Sequence, residues 1–526
     1  MKKKIIALLL AMTMAVSVAG CGSRDKGTNS DNATVADNTI IYGTTDEYTE
    51  INPAINEHCE IIVLIFNGLT AHDADNQIVP CLAESWDIDD EGKTYTFHLA
   101  DGVKWHDGER FTAEDVKFTI ELIKNPENES ENAPNYEDVD NIEVIDDTTV
   151  KFELSEPNYA FLEYMSMAIL PKHLLEGEDP HTADYFFKPV GTGPYKVAEH
   201  DDGQSITLTK NDDYFLGAPN IETIIFKICE DDNAKALLMQ SGDLNFTQVT
   251  PKDSATFEGD DQYTVYDMTT SDYRGILYNF NNAYWKENAD LIPAISYAID
   301  RQAILDSVVL GKGDVAYGPL QRNIYNSEDV EKYEYNPKKC EELLVAAGCE
   351  KKEDGFYYRD GEKIGFTINA TPSDQVRIDM AQICAQQLQK VGLDVKANVP
   401  AEGIDWGGQE CCIIGWGSPF DADDHMYKVF GTDKGANYNA YSNTEADKYM
   451  TEARQTDDAD ARKAAYAAAL TAMSENPPYT YICYIDAMYV GASNIKGINP
   501  NTVLGHMASV SSGMYATGQL SKEWSR

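Results

Sequence analysis

The chain has 526 residues, with 88 Asp or Glu against 42 Lys or Arg, a formal net charge of −46 at neutral pH. A surface so acidic repels nucleic acid and anionic headgroups, so neither is expected as a partner. Hydrophobic residues make up 43% of the sequence, enough over this length to bury a large core divided into two or three lobes.

The first twenty residues stand outside that core. Lys2, Lys3 and Lys4 give a positive start, and the apolar stretch from Ile5 to Val18 is too short to span a membrane, so 1–20 read as a secretory signal. The stretch ends in Val18-Ala19-Gly20-Cys21, which resembles the bacterial lipobox, where a cysteine after small residues receives a diacylglyceryl group. Cys21 is therefore the expected lipid anchor. Acyl chains worth roughly 0.8 kcal/mol per buried methylene would hold the mature protein on the outer face of the cytoplasmic membrane. Residues 21–38, rich in Ser, Thr, Asn, Asp and Gly, read as a flexible tether. Nine cysteines remain beside Cys21, without metal-knuckle spacing. Most are expected to be buried thiols, with a Cys340–Cys349 bridge left open.

A first strand is expected over Asn38–Gly43 and an apolar helix-like run over Glu60–Leu69. Thr94–Leu99 alternates, with Tyr95, Phe97 and Leu99 on one face, and Thr149–Leu154 does the same with Val150, Phe152 and Leu154. Thr112, with Asp115 three residues on, signals a capped helix to about Lys124. Further helices are expected over Asp290–Leu310 and Pro337–Ala347. A strand–helix–strand unit follows: Gly365–Ala370, Asp374–Val391 with Gly392 as its cap, and Leu393–Val399. An Ala-rich helix, Ala459–Met473, precedes a buried strand over Thr480–Val490.

Several of these segments carry motifs in a fixed order. They are Ala83-Glu84-Ser85-Trp86, Gly92-Lys93-Thr94-Tyr95-Thr96-Phe97, Gly102-Val103-Lys104-Trp105-His106-Asp107-Gly108, Thr112 to Val116, Gly191-Thr192-Gly193-Pro194-Tyr195, Asn211 to Tyr214 with Pro219, and Ala294 to Arg301. In this order they resemble the family 5 solute-binding proteins of ABC importers, which include dipeptide, oligopeptide and nickel receptors. The match covers nearly all of the mature chain. In Gly191–Tyr195 the glycines are expected to permit tight turns and Pro194 to stiffen the exit, at a crossing between lobes.

The resemblance implies an α/β, two-lobed periplasmic-binding-protein type II clamp with an additional subdomain in lobe one. Residues 39–82, 189–275 and 488–526 would form lobe one, 83–188 its subdomain, and 276–487 lobe two. It also implies a monomer that catalyses nothing and needs no cofactor. Such a protein captures a small ligand, here a short peptide, by hinge closure and delivers it to the ABC permease subunits.

The best candidate for the cleft is Ile413 to His425, where an apolar strand gives way to a loop, since ligands of α/β lobes gather at strand ends. Peptide binders of the family carry an Asp soon after the Gly-Trp pair, to hold the ligand's ammonium. Here Pro419-Phe420 stand in that place and the acids follow at Asp421, Asp423 and Asp424. Trp416 and either Asp421 or Asp423 are the expected contacts. Thr44 and Asp46, in the loop after the first strand, are the expected wall on lobe one, and Asn279 is a candidate for amide contacts to a peptide backbone. A nickel or metal-chelate receptor of the same fold is the alternative, on the strength of His425 and His506; no metal ligand set is expected.

Catalytic motifs do not carry through. Gly92-Lys93-Thr94 resembles the end of a phosphate loop, but position 87 is Asp and the context is a turn between strands. Asp87, Asp89, Glu91 and Gly92 start like a calcium loop whose twelfth position is His98 instead of Glu. Neither G-x-S-x-G nor H-E-x-x-H occurs.

Overall fold

The computed structural model describes residues 38–56, 61–89, 91–372, 374–506 and 524–526. The signal, Cys21 and most of the tether lie outside them, as does Glu60.

Three sheets carry the architecture. The largest has seven strands in the order Tyr263–Met268, Ala487–Ala492, Phe246–Val249, Thr39–Thr44, Thr223–Ile228, Ser205–Lys210 and Tyr195–Asp201. Thr39–Thr44 runs parallel to both neighbours. A six-stranded sheet is built around Tyr273–Tyr278, which lies antiparallel to Cys411–Trp416 and Tyr479–Ile485. Strand alternation loads both of its faces. Ile276, Tyr278, Cys411 and Ile413 pack on one side, while Tyr273, Leu277, Cys412 and Ile414 pack on the other. The third sheet, of four strands between Ala83 and Leu154, packs Tyr95, Phe97, Val150 and Phe152 against the Ala113–Lys124 helix. That helix begins where the sequence signals it, with the Asp115 carboxylate accepting from Thr112 N at 2.8 Å. The result is a two-lobed α/β clamp with an extra subdomain.

The chain crosses between the two larger sheets at adjacent points. Tyr263–Met268 leads into Tyr273–Tyr278, and Tyr479–Ile485 leads through Asp486 into Ala487–Ala492. A C-terminal segment adds a third ply, with Ser271 N donating to Leu504 O at 2.8 Å and Leu504 N to Thr269 O at 2.9 Å. Arg322 ties the crossings together. Its Nη1 donates to Thr270 O and to Asp486 Oδ1, both at 2.7 Å, and its Nη2 to Asp314 Oδ2 at 2.6 Å.

Three expectations need correction, and the open question of a Cys340–Cys349 bridge is answered. The single strand over Thr480–Val490 is two strands of different sheets, broken at Asp486 by the crossing. The helix expected over Asp290–Leu310 breaks into Ile292–Tyr297 and Arg301–Val308, because Asp300 caps a new start by accepting from Ala303 N at 3.1 Å. The apolar run before Leu69 holds one helical turn, Ile62–Ile65, because it is pressed against Gly191-Thr192-Gly193. A Cβ on Gly191 would lie 1.9 Å from Ile65 O, so glycine is required there by close approach and not by a turn. Cys340 and Cys349 are separate thiols, two of eight free buried cysteines among the described residues.

Candidate functional site

The Cys411–Trp416 strand ends in a loop that passes under the crossing segments. Gly417 has φ +140°, and a Cβ there would lie 1.9 Å from Ser271 O, so the loop can approach the hinge only through glycine. His506 N donates to Gly417 O at 2.9 Å, which draws the C-terminal segment onto the same spot. Trp416, half-buried, stacks on the His506 ring at 5.8 Å with a 6° interplanar angle. Tyr438 approaches Trp416 at 5.6 Å and Trp406 at 5.6 Å, and both outer rings are about two-fifths exposed. An aromatic row therefore runs outward from the hinge.

Behind Trp416, two guanidiniums lie over Gly415. A Cβ at Gly415 would fall 2.1 Å from Arg274 Nη1 and 2.9 Å from Arg377 Nη2. Arg274 pairs with Asp272, which also receives His506 Nδ1 at 2.9 Å. Burial works against the Asp272 carboxylate, but Arg274 and His506 together hold its pKa down at about 2. Burial and then the charge of Arg274 lower the pKa of Arg377. Arg377 has Asp374 Oδ2 at 3.0 Å from Nε and a long contact from Nη1 to Thr371 Oγ1 at 3.4 Å, while its Nη2 makes no hydrogen bond with the described residues. Burial lowers the pKa of His506, with Asp272 opposing, so its imidazole is neutral at pH 7.

The acids after the loop are all engaged. Asp421 caps the Ala422–Phe430 helix, accepting from Asp423 N at 2.9 Å, and takes a bidentate pair from Arg462 at 2.5 and 2.8 Å. Asp423 is fully buried, with Oδ2 receiving Tyr164 OH at 2.6 Å and Arg454 Nε at 3.2 Å. Asp424 faces Lys428 at 3.5 Å; burial raises its pKa, but Lys428 and Ser418 pull it below the usual range.

These contacts also join the surroundings of the six-stranded sheet to those of the four-stranded one. Arg454 Nη1 reaches Asp138 Oδ2 at 3.0 Å, Arg454 O accepts from Tyr159 N at 2.9 Å, and Lys434 pairs with Glu137. Phe420 stacks on His72 at 3.9 Å, and His72 pairs with the buried Glu163. Burial raises the pKa of Glu163, with His72 opposing.

On the other wall, Thr44 is buried, its Oγ1 accepting from Asp46 N at 3.1 Å. Asp46 is exposed to solvent, yet surrounding protein raises its pKa, with Lys235 opposing. Asn279 belongs to the framework. Its Nδ2 donates to Gly407 O and Gln409 O at 3.2 and 2.9 Å and its Oδ1 accepts from Asn281 N at 3.0 Å, with the side chain buried. His425 is likewise inside, 1% exposed, with Nε2 against Tyr273 OH at 2.9 Å, and burial pushes its pKa down to about 3. Among the described residues no group of three or more His, Cys, Asp or Glu is placed to hold a metal ion. Sequence reasoning missed Arg274, Arg377, Arg454 and Arg462; each sits inside a strand or helix with no local signal, and only the fold brings it to this loop.

The family described as bacterial extracellular solute-binding proteins, family 5, matches residues 77–473. The oligopeptide-binding protein AppA of Bacillus subtilis is 31% identical, over 94% of this chain and 96% of its own. Among solved structures, NikZ of Campylobacter jejuni in complex with Ni(L-His) is 34% identical with a TM-score of 0.86, covering 94% of this chain and all of its own. AppA of Bacillus subtilis in complex with a nonapeptide is 29% identical with a TM-score of 0.81, covering 93% and 99%. With this fold, and a family match across most of its length, the chain belongs to the family 5 extracellular solute-binding proteins of ABC importers.

Proposed function

We propose that the chain is a monomeric, lipid-anchored capture subunit that closes on its ligand and hands it to the permease, and that the ligand is a small molecule presenting a carboxylate. The observation that carries this reading is the meeting of Arg274 and Arg377 over Gly415, with His506 against Asp272 and Trp416 at the same strand end. Guanidiniums recognise carboxylates through their N–H donors, and Arg377 has its Nη2 amino group open to one. A short peptide carries this group at its C-terminus, and the likeness to an oligopeptide-binding protein supports it. Asp421 and Asp423 already hold arginines, so Asp46 is the acid left open for the peptide's ammonium. The lobe limits go with this reading: 39–82, 189–275 and 488–526, with 83–188 as subdomain, against 276–487.

A second reading, a metal chelated by an amino acid, is favoured by the neutral His506 imidazole stacked on Trp416 and by the likeness to NikZ. Such a metal would arrive with its own chelating groups as cargo. Calorimetry on the purified mature chain, with a mixture of short peptides and separately with nickel–histidine, divides the two. Heat with nickel–histidine and none with peptides would sink the peptide reading.

Trp416→Ala is expected to weaken binding of whichever ligand responds, with the unliganded melting temperature little changed. Equal losses of affinity and stability would make Trp416 a packing residue. Cys21→Ala is expected to move the protein from the membrane fraction to the medium, and its retention on membranes would contradict the anchor.

A further inference from the structure

His72 ends the short strand Thr70–His72, and Glu163 lies in the helical turn Phe161–Tyr164; both side chains are buried. They pair with each other through His72 Nε2 and Glu163 Oε1. Both stand on one side of the clamp. Leu69 and Leu82, which flank the hairpin that holds His72, share a core with Phe161 and the four-stranded sheet. The Ala113–Lys124 helix over that sheet sends Phe118 and Leu122 against the core of the seven-stranded one.

Their cover comes from the other side. Phe420, in the loop after the Cys411–Trp416 strand, stacks on the His72 ring with centroids 3.9 Å apart and planes at 18°. The N–H of Asp421 faces Glu163 Oε2 at 3.4 Å. The charges nearby are already matched. Asp421 is held by Arg462 at 2.5 and 2.8 Å and Asp424 by Lys428 at 3.5 Å. On the Glu163 turn itself, Tyr164 OH donates to Asp423, which Arg454 also holds.

A buried histidine–carboxyl pair is neutral overall only when it holds a single proton, whichever partner carries it. Without that proton a carboxylate lies buried beside a neutral ring; with a second, an imidazolium lies beside a neutral acid. Both states bury an unpaired charge. In water a histidine releases its proton at about pH 6.5, while a carboxyl is already ionised. Sealing such a pair above that pH therefore calls for a proton from solution.

We propose that closure of the clamp takes up a proton, held between His72 and Glu163 and sealed in by Phe420, so that capture weakens as the surroundings turn alkaline. This rests on the reading of the chain as a clamp that closes on its ligand, whichever ligand that is. Burial raises the pKa of Glu163, and Asp421 and Asp424 push the same way against His72. The sign agrees: a carboxyl pKa raised on closing favours the closed form at low pH and loses that contribution as pH rises through it.

The test is calorimetry on the mature chain with the short-peptide mixture and with nickel–histidine, in phosphate and in Tris at about pH 8, where the difference in heat between buffers counts protons taken up. Glu163→Gln keeps the shape and removes the carboxyl, so the wild type should take up about one proton more than this variant. The ratio of wild-type to Glu163→Gln affinity should fall roughly tenfold per pH unit above neutrality, and the ligand's own titration cancels in that ratio. Phe420→Ala, which lets water reach the pair, should bind with the smaller proton count of Glu163→Gln. Equal uptake by wild type and Glu163→Gln, or full uptake by Phe420→Ala, would overturn the coupling and leave capture intact. No heat from either probe would take down the capture reading and this coupling with it.

Discussion

Arg454→Leu should lower the stability of the unliganded chain by about 3–5 kcal/mol, the cost of leaving a buried charge without its partner. The charge is that of Asp423, fully buried and held, among the described residues, by Arg454 at 3.2 Å and Tyr164 OH at 2.6 Å. Arg454 also reaches Asp138 at 3.0 Å and lies 3.8 Å over the Tyr427 ring, so its loss removes charge, hydrogen bonds and packing together. Tyr164 and Asp138 lie with the four-stranded sheet, while Asp423 and Arg454 lie on helices packed against the six-stranded one, so the variant should also loosen the clamp in small-angle scattering. Lys434→Ala is the control. Its pair with Glu137 crosses the same boundary at partly exposed positions and should be worth no more than about 1 kcal/mol. Asp423→Leu added to Arg454→Leu should recover part of the loss, because replacing both partners removes the orphaned charge. Equal, small losses in Arg454→Leu and Lys434→Ala by denaturant titration would mean that the network does not hold the lobes.

This network marks where the sequence stopped being legible. Period-2 strands were readable because one face is buried: Tyr95, Phe97 and Leu99 alternate in sequence and in burial alike. Caps were readable because they act over three or four residues, as at Thr112 and Gly392. Breaks set by distant chain were not. Nothing in Thr480 to Val490 announces that Asp486 changes sheets, since both halves are equally apolar and the cause is Arg322, 164 residues away.

The candidate site divides in the same way. Trp416 and the 421–424 acids stood out as a polar loop after an apolar strand, but the loop does not say which acids are free. Asp421 and Asp423 resemble ligand contacts in sequence, and in the structure they hold Arg462 and Arg454. Arg274 lies within a strand, and Arg377 lies on the first turn of a helix whose apolar stripe drew the reading toward packing. A faint signal existed at Gly415. A glycine inside the Cys411–Trp416 strand asks what approaches it so closely, and the answer is two guanidiniums.

Arg377→Met should cut affinity for the carboxylate-bearing ligand by about 2 kcal/mol, roughly thirtyfold, while leaving the unliganded chain as stable as before or slightly more so. Arg377 is pressed toward Arg274, whose charge disfavours its own, so removing it relieves repulsion and strands no buried acid. Asp374 still caps its helix through the Arg377 backbone N–H at 2.9 Å, whatever the side chain. Arg274→Met should behave in the opposite sense. It leaves Asp272 buried with only His506, so stability should fall, and the Asp272 pKa should rise from about 2 because its principal cation is gone. In the wild type the depressed Asp272 pKa contributes stability that is present above the unfolded aspartate value and lost as pH falls through about 2. Arg274→Met should therefore lose that acid-resistant margin while Arg377→Met keeps it. If a peptide is the ligand, amidating its C-terminus should weaken wild-type binding by the same factor as Arg377→Met, and the two changes together should cost no more than either alone. Additive losses would separate the carboxylate from Arg377 and leave this guanidinium pair a structural feature of the hinge.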